Sequence, residues 1–131
     1  METKKNTVGI RYIVNDVTEA VAFYTEMLGF KLVMQPAPGF AMLEKGGLHL
    51  FLNQPGAGGA GQKMADGTSP SPGGWNRIQV QVEDLQKEIE TLKSKKAKFR
   101  NELVKGIGGD QILLQDPSGN LIELFEPGKQ S

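Results

Sequence analysis

Ile10-Arg11-Tyr12-Ile13-Val14-Asn15-Asp16-Val17 and Ile78-Gln79-Val80-Gln81-Val82-Glu83-Asp84-Leu85 are two versions of one pattern. Apolar residues alternate in both, as Ile10, Tyr12 and Val14 in the first and as Ile78, Val80 and Val82 in the second. An alternation of period two predicts a strand with one face on a core. An Asp then follows each strand. Asp16 is placed to cap a helix, with Glu19 at the spacing of a capping box, and Asp84 can cap a second helix in the same way. Two matching strand-to-helix turns predict an internal duplication.

Outward from these turns, Val17, Ala20, Val21, Tyr24, Met27 and Leu28 recur at helical spacing, and Gly29 suits the left-handed conformation that ends helices. The second helix carries a narrower stripe of Leu85, Ile89 and Leu92, and its many Lys and Glu residues read as a solvated face. Strands are predicted at 30–34, 40–44 and 48–52 after the first helix, and at 98–103, 111–114 and 121–125 after the second. The last two are joined by Asp116-Pro117-Ser118-Gly119-Asn120, a turn sequence. The pattern is βαβββ twice, with Leu48-His49-Leu50-Phe51 laid opposite Ile122-Glu123-Leu124-Phe125. Between the halves, residues 53–74 hold seven of the 17 glycines and three of the seven prolines with almost nothing apolar to bury. Conformational entropy favours leaving such a segment mobile, as a linker or as a lid. The expected organisation is a single domain over residues 1–131, made of a module at 8–52, the linker or lid at 53–74 and a module at 75–127.

Composition narrows the function. Fifteen Lys+Arg against 15 Asp+Glu leave no bulk basic field, so nucleic acid is not an expected partner. No apolar run reaches the ~18 residues of a membrane helix, and no apolar signal core follows the opening residues, so no membrane partner and a cytoplasmic address are expected. Without cysteine there are no thiolate ligands or thiol nucleophiles, and His49 is the one histidine. The Gly-rich segment lacks the Gly-Lys-Ser/Thr of a phosphate cradle.

Val14-Asn15-Asp16, Ala22-Phe23-Tyr24, Met27-Leu28-Gly29-Phe30 and the run Asp116-Pro117-Ser118-Gly119-Asn120-Leu121-Ile122-Glu123-Leu124, in this order, resemble the vicinal oxygen chelate superfamily of glyoxalases, bleomycin-resistance proteins and extradiol dioxygenases. The resemblance covers nearly the whole chain. It implies an α+β fold in which two βαβββ modules form a curled mixed-sheet cup around a ligand, and it implies a homodimer. Metal-dependent members resembling glyoxalase I carry a ligand seven residues before each capping Asp, one on the last strand of the first module, and a Glu after the Asp-Pro-x-Gly turn. Carried over one at a time, these positions fall on Gly9, His49, Arg77 and Glu123. Glycine has no side chain, and a guanidinium has no lone pair to give, so no metal is the first expectation.

Strand alternation places Gly9, Arg11 and Ile13 on the cup face if Ile10, Tyr12 and Val14 pack under the helix, and Arg77, Gln79 and Gln81 on the equivalent face of the second half. With Phe51 and Phe125 these residues make a candidate recognition surface: Arg11, Phe51, Arg77, Gln79, Gln81 and Phe125 for binding, His49 and Glu123 for any chemistry. The expected function is binding of a small polar or aromatic molecule in a cup that has lost the usual metal set. The alternative is a metal-dependent enzyme of lactoylglutathione lyase, thiol transferase or extradiol dioxygenase type, with a divalent metal held by His49 and Glu123. Plainer readings remain beside these. Arg11, Gln79 and Gln81 also fit a sheet face open to water, Arg77 with Glu123 a structural ion pair, and His49 a hydrogen-bonded structural histidine. Trp75 and Met64, at the edges of the Gly-rich segment, are candidates to close over a ligand or simply to anchor its ends.

Overall fold

A computed structural model describes residues 7–128. It contains two compact units that divide between Ser71 and Pro72, each with one helix and one mixed sheet. The expected α+β class therefore holds in each half.

In unit 1, β1 (Gly9–Ile13) leads into α1 (Val17–Leu28), followed by β2 (Lys31–Ala37), β3 (Phe40–Lys45) and β4 (Leu48–Asn53). The sheet order is β1-β4-β3-β2, with β1 and β4 parallel and the other pairs antiparallel. Asp16 caps α1 by accepting the Glu19 N–H at 3.0 Å. Gly29, at φ 74°, ends it in the left-handed conformation that a Cβ disfavours. The helix buries Val17, Ala20, Phe23, Tyr24 and Leu28. Tyr24 is fully buried among edge-to-face rings, 4.9 Å from Phe23, 5.5 Å from Phe30 and 6.4 Å from Tyr12. Such pairs contribute about 0.5–1.5 kcal/mol each beyond their buried area. The sheet supplies Ala41, Leu43, Leu50 and Leu52, all with no exposed surface. The alternating residues Phe40 and Met42 on β3 and His49 and Phe51 on β4 are thereby turned to the opposite face.

Unit 2 repeats the plan with β5 (Arg77–Gln81), α2 (Leu85–Ser94), β6 (Lys98–Phe99), β7 (Val104–Lys105), β8 (Gly109–Gln115) and β9 (Leu121–Pro127). Its order is β5-β9-β8-β6, with β7 also on β8 and with β5 parallel to β9. Asp84 accepts the Lys87 N–H at 3.1 Å, and α2 buries the expected Leu85, Ile89 and Leu92. Asp116 closes the β8–β9 turn by accepting the backbone N–H groups of Ser118 and Asn120, both at 2.9 Å.

Two expectations are corrected. The strand predicted at 98–103 is two short strands, because the Asn101 side-chain oxygen accepts the Leu113 N–H at 2.9 Å and takes over a rung that backbone would otherwise supply. Ile10 does not pack under the helix but is 37% exposed, because the buried stretch of β1 begins only at Tyr12. Within residues 53–74, Asn53 ends β4 and is buried, and residues 54–61 form a hydrogen-bonded turn. In that turn the Gln54 N–H donates to Gly39 O at 3.0 Å, Ala57 N–H to Gln54 O at 3.0 Å, and Gly61 N–H to Ala57 O at 3.0 Å. Among the described residues no helix is long and apolar enough to cross a membrane.

Candidate functional site

Hydrogen bonding fixes how the two units correspond. Asp16 and Asp84 occupy the same place, so Ile10 corresponds to Ile78. Ile10 pairs with Leu50, whereas Ile78 pairs with Ile122. Val14 donates to Asn53 O at 2.9 Å, and Val82 to Phe125 O at 2.8 Å. Beyond the strands, Gln54 Oε1 accepts the Val17 N–H and Glu126 Oε1 accepts the Leu85 N–H, each at 2.8 Å and each at the first residue of a helix. All three relations match Phe51 with Glu123 and Asn53 with Phe125. The expectation that His49 lies opposite Glu123 in the repeat is therefore corrected by two residues; His49 corresponds to Leu121. A shift of two leaves every side chain on its face, so the alternation pattern does not expose the error. By this correspondence the place in unit 1 equivalent to Glu123 is Phe51.

The same correspondence brings two clusters onto equivalent places. In unit 1, Arg11 and Phe51 are neighbours across β1 and β4, and the guanidinium sits 5.0 Å from the Phe51 ring centre. Phe40 lies nearly parallel to Phe51, at 11° and 6.4 Å between centroids. The Asn53 side-chain oxygen accepts from Arg11 Nη1 at 2.9 Å. These four residues, with Ala37, Gly39 and the Ala57–Ala60 segment, line a cavity of about 560 Å³. The same ring stands beside Gly9: a Cβ built there would lie 2.5 Å from Phe51 Cε2.

In unit 2 the equivalent places hold Gln79, Glu123, Gln111 and Phe125, with Arg77 where unit 1 has Gly9. Glu123 is only 8% exposed, and donors surround its carboxylate. Arg77 donates from Nε to Oε1 at 3.0 Å and pairs through Nη2 at 3.0 Å, and Gln79 Nε2 donates to Oε2 at 2.8 Å. The Gln111 amide, with its nitrogen assigned to the side that faces the carboxylate, adds donations at 3.0 and 3.1 Å. Arg77 also reaches Trp75 O from Nη1 at 3.4 Å.

Of the residues singled out by sequence, Arg11 and Phe51 are together in the unit 1 cavity, and Arg77, Gln79 and Glu123 are together in the unit 2 cluster. Gln81 and Phe125 pair across β5 and β9, but Gln81 is exposed and among the described residues takes no hydrogen bond from that cluster. His49 is half-buried opposite Glu44, lines neither cluster and has no ion pair among the described residues. Trp75 is 65% exposed with Arg100 5.5 Å from its ring centre, and Met64 is 50% exposed. Phe40, Asn53 and Gln111 were not singled out. Their signal lay in the neighbouring strands, since Phe40 faces Asn53 across β3 and β4, and Gln111 faces Phe125 across β8 and β9.

Among the described residues, no three His, Cys, Asp or Glu side chains gather where they could hold a metal ion. The family model described as Glyoxalase/Bleomycin resistance protein/Dioxygenase superfamily matches residues 7–124. A comparison with curated proteins finds no match. Among solved structures, the chain is similar to a member of that superfamily from Sphaerobacter thermophilus, with 25% identity, 94% of this chain and 98% of that chain covered, and a TM-score of 0.72. It is also similar to TnmS3, an antibiotic binding protein from Streptomyces sp. CB03234, with 21% identity over 98% and 100% of the chains and a TM-score of 0.70. A lactoylglutathione lyase from Agrobacterium tumefaciens gives 17% identity over 95% and 96%, with a TM-score of 0.71. The last two likenesses concern the fold. With the family model spanning nearly all of the described residues, the chain belongs to the Glyoxalase/Bleomycin resistance protein/Dioxygenase superfamily.

Proposed function

We propose that the protein binds a small aromatic compound in the unit 1 cavity without a divalent metal. The observation that carries this reading is the cavity itself, about 560 Å³ beside the parallel Phe40 and Phe51 rings, with the polar groups of Arg11 and Asn53 at its wall. That volume lies within the usual ~300–1,000 Å³ of ligand pockets, and apolar walls with few placed polar groups are their usual composition.

The donor set does not fit a metal at the positions that metal-dependent relatives are expected to use. Gly9 offers no ligand, and the Phe51 ring occupies the space in which one would stand. Phe51 itself has no donor atom, and Arg77 is a cation. Glu123 remains, but its oxygens already accept from Arg77, Gln79 and Gln111. A catalytic divalent ion generally takes three or more protein ligands. A cytoplasmic homodimer belongs to the same proposal, and light scattering on the purified chain tests its assembly.

A ligand that binds only the native state raises the melting temperature by mass action. A thermal-shift screen of aromatic compounds in the presence of a chelator is expected to yield stabilising compounds whose effect does not grow when zinc, manganese, nickel or iron replaces the chelator. Stabilisation that requires the ion, or stoichiometric metal in protein purified without chelator, would overturn the reading.

A further inference from the structure

The equivalent clusters differ in one respect that bears on the ligand. In unit 2 the cation Arg77 has a resident carboxylate, Glu123. In unit 1 the equivalent of Glu123 is Phe51, and among the described residues no carboxylate pairs with Arg11. The guanidinium is held in place all the same. Asn53, 2% exposed, fixes Nη1 from one side, and the Phe51 ring lies beneath the guanidinium. Arg11 is thus a positioned cation at the wall of an aromatic cavity, with no negative partner supplied by its own unit.

We infer that the cavity is selective for a planar aromatic anion, a compound carrying a carboxylate or sulfonate on or beside a flat ring system. The inference rests on the unit 1 cavity being the binding site and adds the charge of what it takes. The ring of such a ligand lies against Phe40 and Phe51, and its anionic group accepts from the guanidinium edges that Asn53 leaves open. Arginine suits this role because its planar fork offers two parallel donors to a carboxylate or sulfonate while its face stays on an aromatic ring. Asn53 is a positioning residue: it acts on the ligand through Arg11.

Two fluorescent probes of nearly the same shape separate the charge from the cavity: 1-anilinonaphthalene-8-sulfonate, an aromatic anion, and N-phenyl-1-naphthylamine, its neutral counterpart. Each is titrated into the full chain at low ionic strength, with amide chemical shifts of Gly39, Gly58 and Gly59 locating the site. A charge-assisted hydrogen bond predicts that the anion binds about tenfold more tightly than the neutral probe. In Arg11→Met the ratio of the two affinities falls to about unity, even where loss of the side chain changes both, and Arg11→Lys retains part of the anion's advantage. Arg11→Met removes the donor to the buried Asn53 oxygen and is expected to melt somewhat lower, so a single cooperative transition and wild-type amide shifts outside the cavity check that both variants fold. If both probes perturb the three glycines and bind equally in wild type and Arg11→Met, the inferred anion selectivity is wrong and the cavity reading stands. If neither probe perturbs those glycines, the cavity reading falls and the inference falls with it.

Discussion

The Phe51 ring takes the space that any side chain at position 9 would need: a Cβ on Gly9 would lie 2.5 Å from Phe51 Cε2 and 3.0 Å from His49 O. Gly9 and Phe51 are thus a matched pair, the absence of one side chain making room for the other. Gly9→Ala is expected to cost about 1–3 kcal/mol, the usual range for overpacking. The cost should shrink when Phe51→Ala is made in the same chain. Urea unfolding of the single and double variants gives the coupling, expected to exceed about 1 kcal/mol. Additive effects would mean that the ring swings aside without resistance from Phe40 and Arg11.

Gln54 and Glu126 support the starts of the two helices, where backbone N–H groups have no partner within the helix. Removing either oxygen should behave like loss of a cap, so Gln54→Ala and Glu126→Ala are each expected to cost about 1 kcal/mol. Glu126→Gln keeps an accepting oxygen at Leu85 N and should lose only the favourable interaction of a carboxylate with the helix N-terminus, a few tenths of a kcal/mol by the usual macrodipole magnitude of ~0.3–1. Chemical denaturation distinguishes these outcomes. An alanine variant as stable as wild type would show that water replaces the side chain at no cost.

These two caps also show what was legible in the sequence and what was not. Alternation and the Asp caps at 16 and 84 gave both strand-to-helix turns, and the α+β duplication follows from them. The pairing of His49 with Glu123 failed because period-two alternation has the same phase after a shift of two. The hydrogen-bonded register, Ile10 with Leu50 and Ile78 with Ile122, breaks that degeneracy. A signal was nonetheless present, since Gln54-Pro55 and Glu126-Pro127 are matching dipeptides and align Phe51 with Glu123. The order of residues 54–61 was illegible for a different reason. It is made by backbone groups of small residues, which leave no apolar pattern to read. Asn101 breaks its strand through a side chain that imitates backbone, and β propensity carries no record of that.

The Arg77–Glu123 pair is asymmetric in burial, with side-chain exposures of 31% and 10%. Loss of Arg77 strands a buried carboxylate on amide donors, whereas loss of the negative charge leaves a guanidinium that water can reach. Arg77→Met is therefore expected to cost about 2–3 kcal/mol and Glu123→Gln about 1 kcal/mol, within the range for charged hydrogen bonds. The double variant should be more stable than the sum of the two predicts. Equal single costs, measured by urea unfolding, would show that burial of the carboxylate does not govern this cluster.

Asp66 accepts the Thr68 N–H at 3.0 Å, and this bond with that of the Thr68 side chain holds its carboxyl below the ordinary value. A depressed folded pKa means that the bond contributes above the unfolded pKa and is lost as pH falls through the lower folded one. The Thr68 amide proton should accordingly keep its shift through the ordinary carboxylate range and move only at more acidic pH. A midpoint at or above that of unperturbed Asp, measured by NMR titration, would show that the turn at residues 66–68 is not populated.

Gly59 and Gly61 are two residues apart in the turn that walls the cavity, yet they face opposite constraints. Nothing lies within 4 Å of a Cβ built on Gly59, and its φ is not positive. A Cβ on Gly61 would collide with the carbonyl oxygens of Gln54 and Ala57, the second at 2.5 Å, and both are backbone atoms that cannot move alone. Ala57 O also accepts the Gly61 N–H, so displacing it breaks the turn itself. Gly59→Ala is expected to be neutral or stabilising by up to about 1 kcal/mol through the entropy of the unfolded chain. Gly61→Ala is expected to release residues 56–61 while β1–β4 and α1 persist, because the sheet and helix core does not depend on this segment. Hydrogen exchange should then show lost protection at the Ala57 and Gly61 amides and retained protection in β3 and β4. Probe binding in the cavity should weaken in step with that loss. Full protection in Gly61→Ala together with weakened binding would instead mean that the Ala57–Ala60 wall acts through a contact other than this turn.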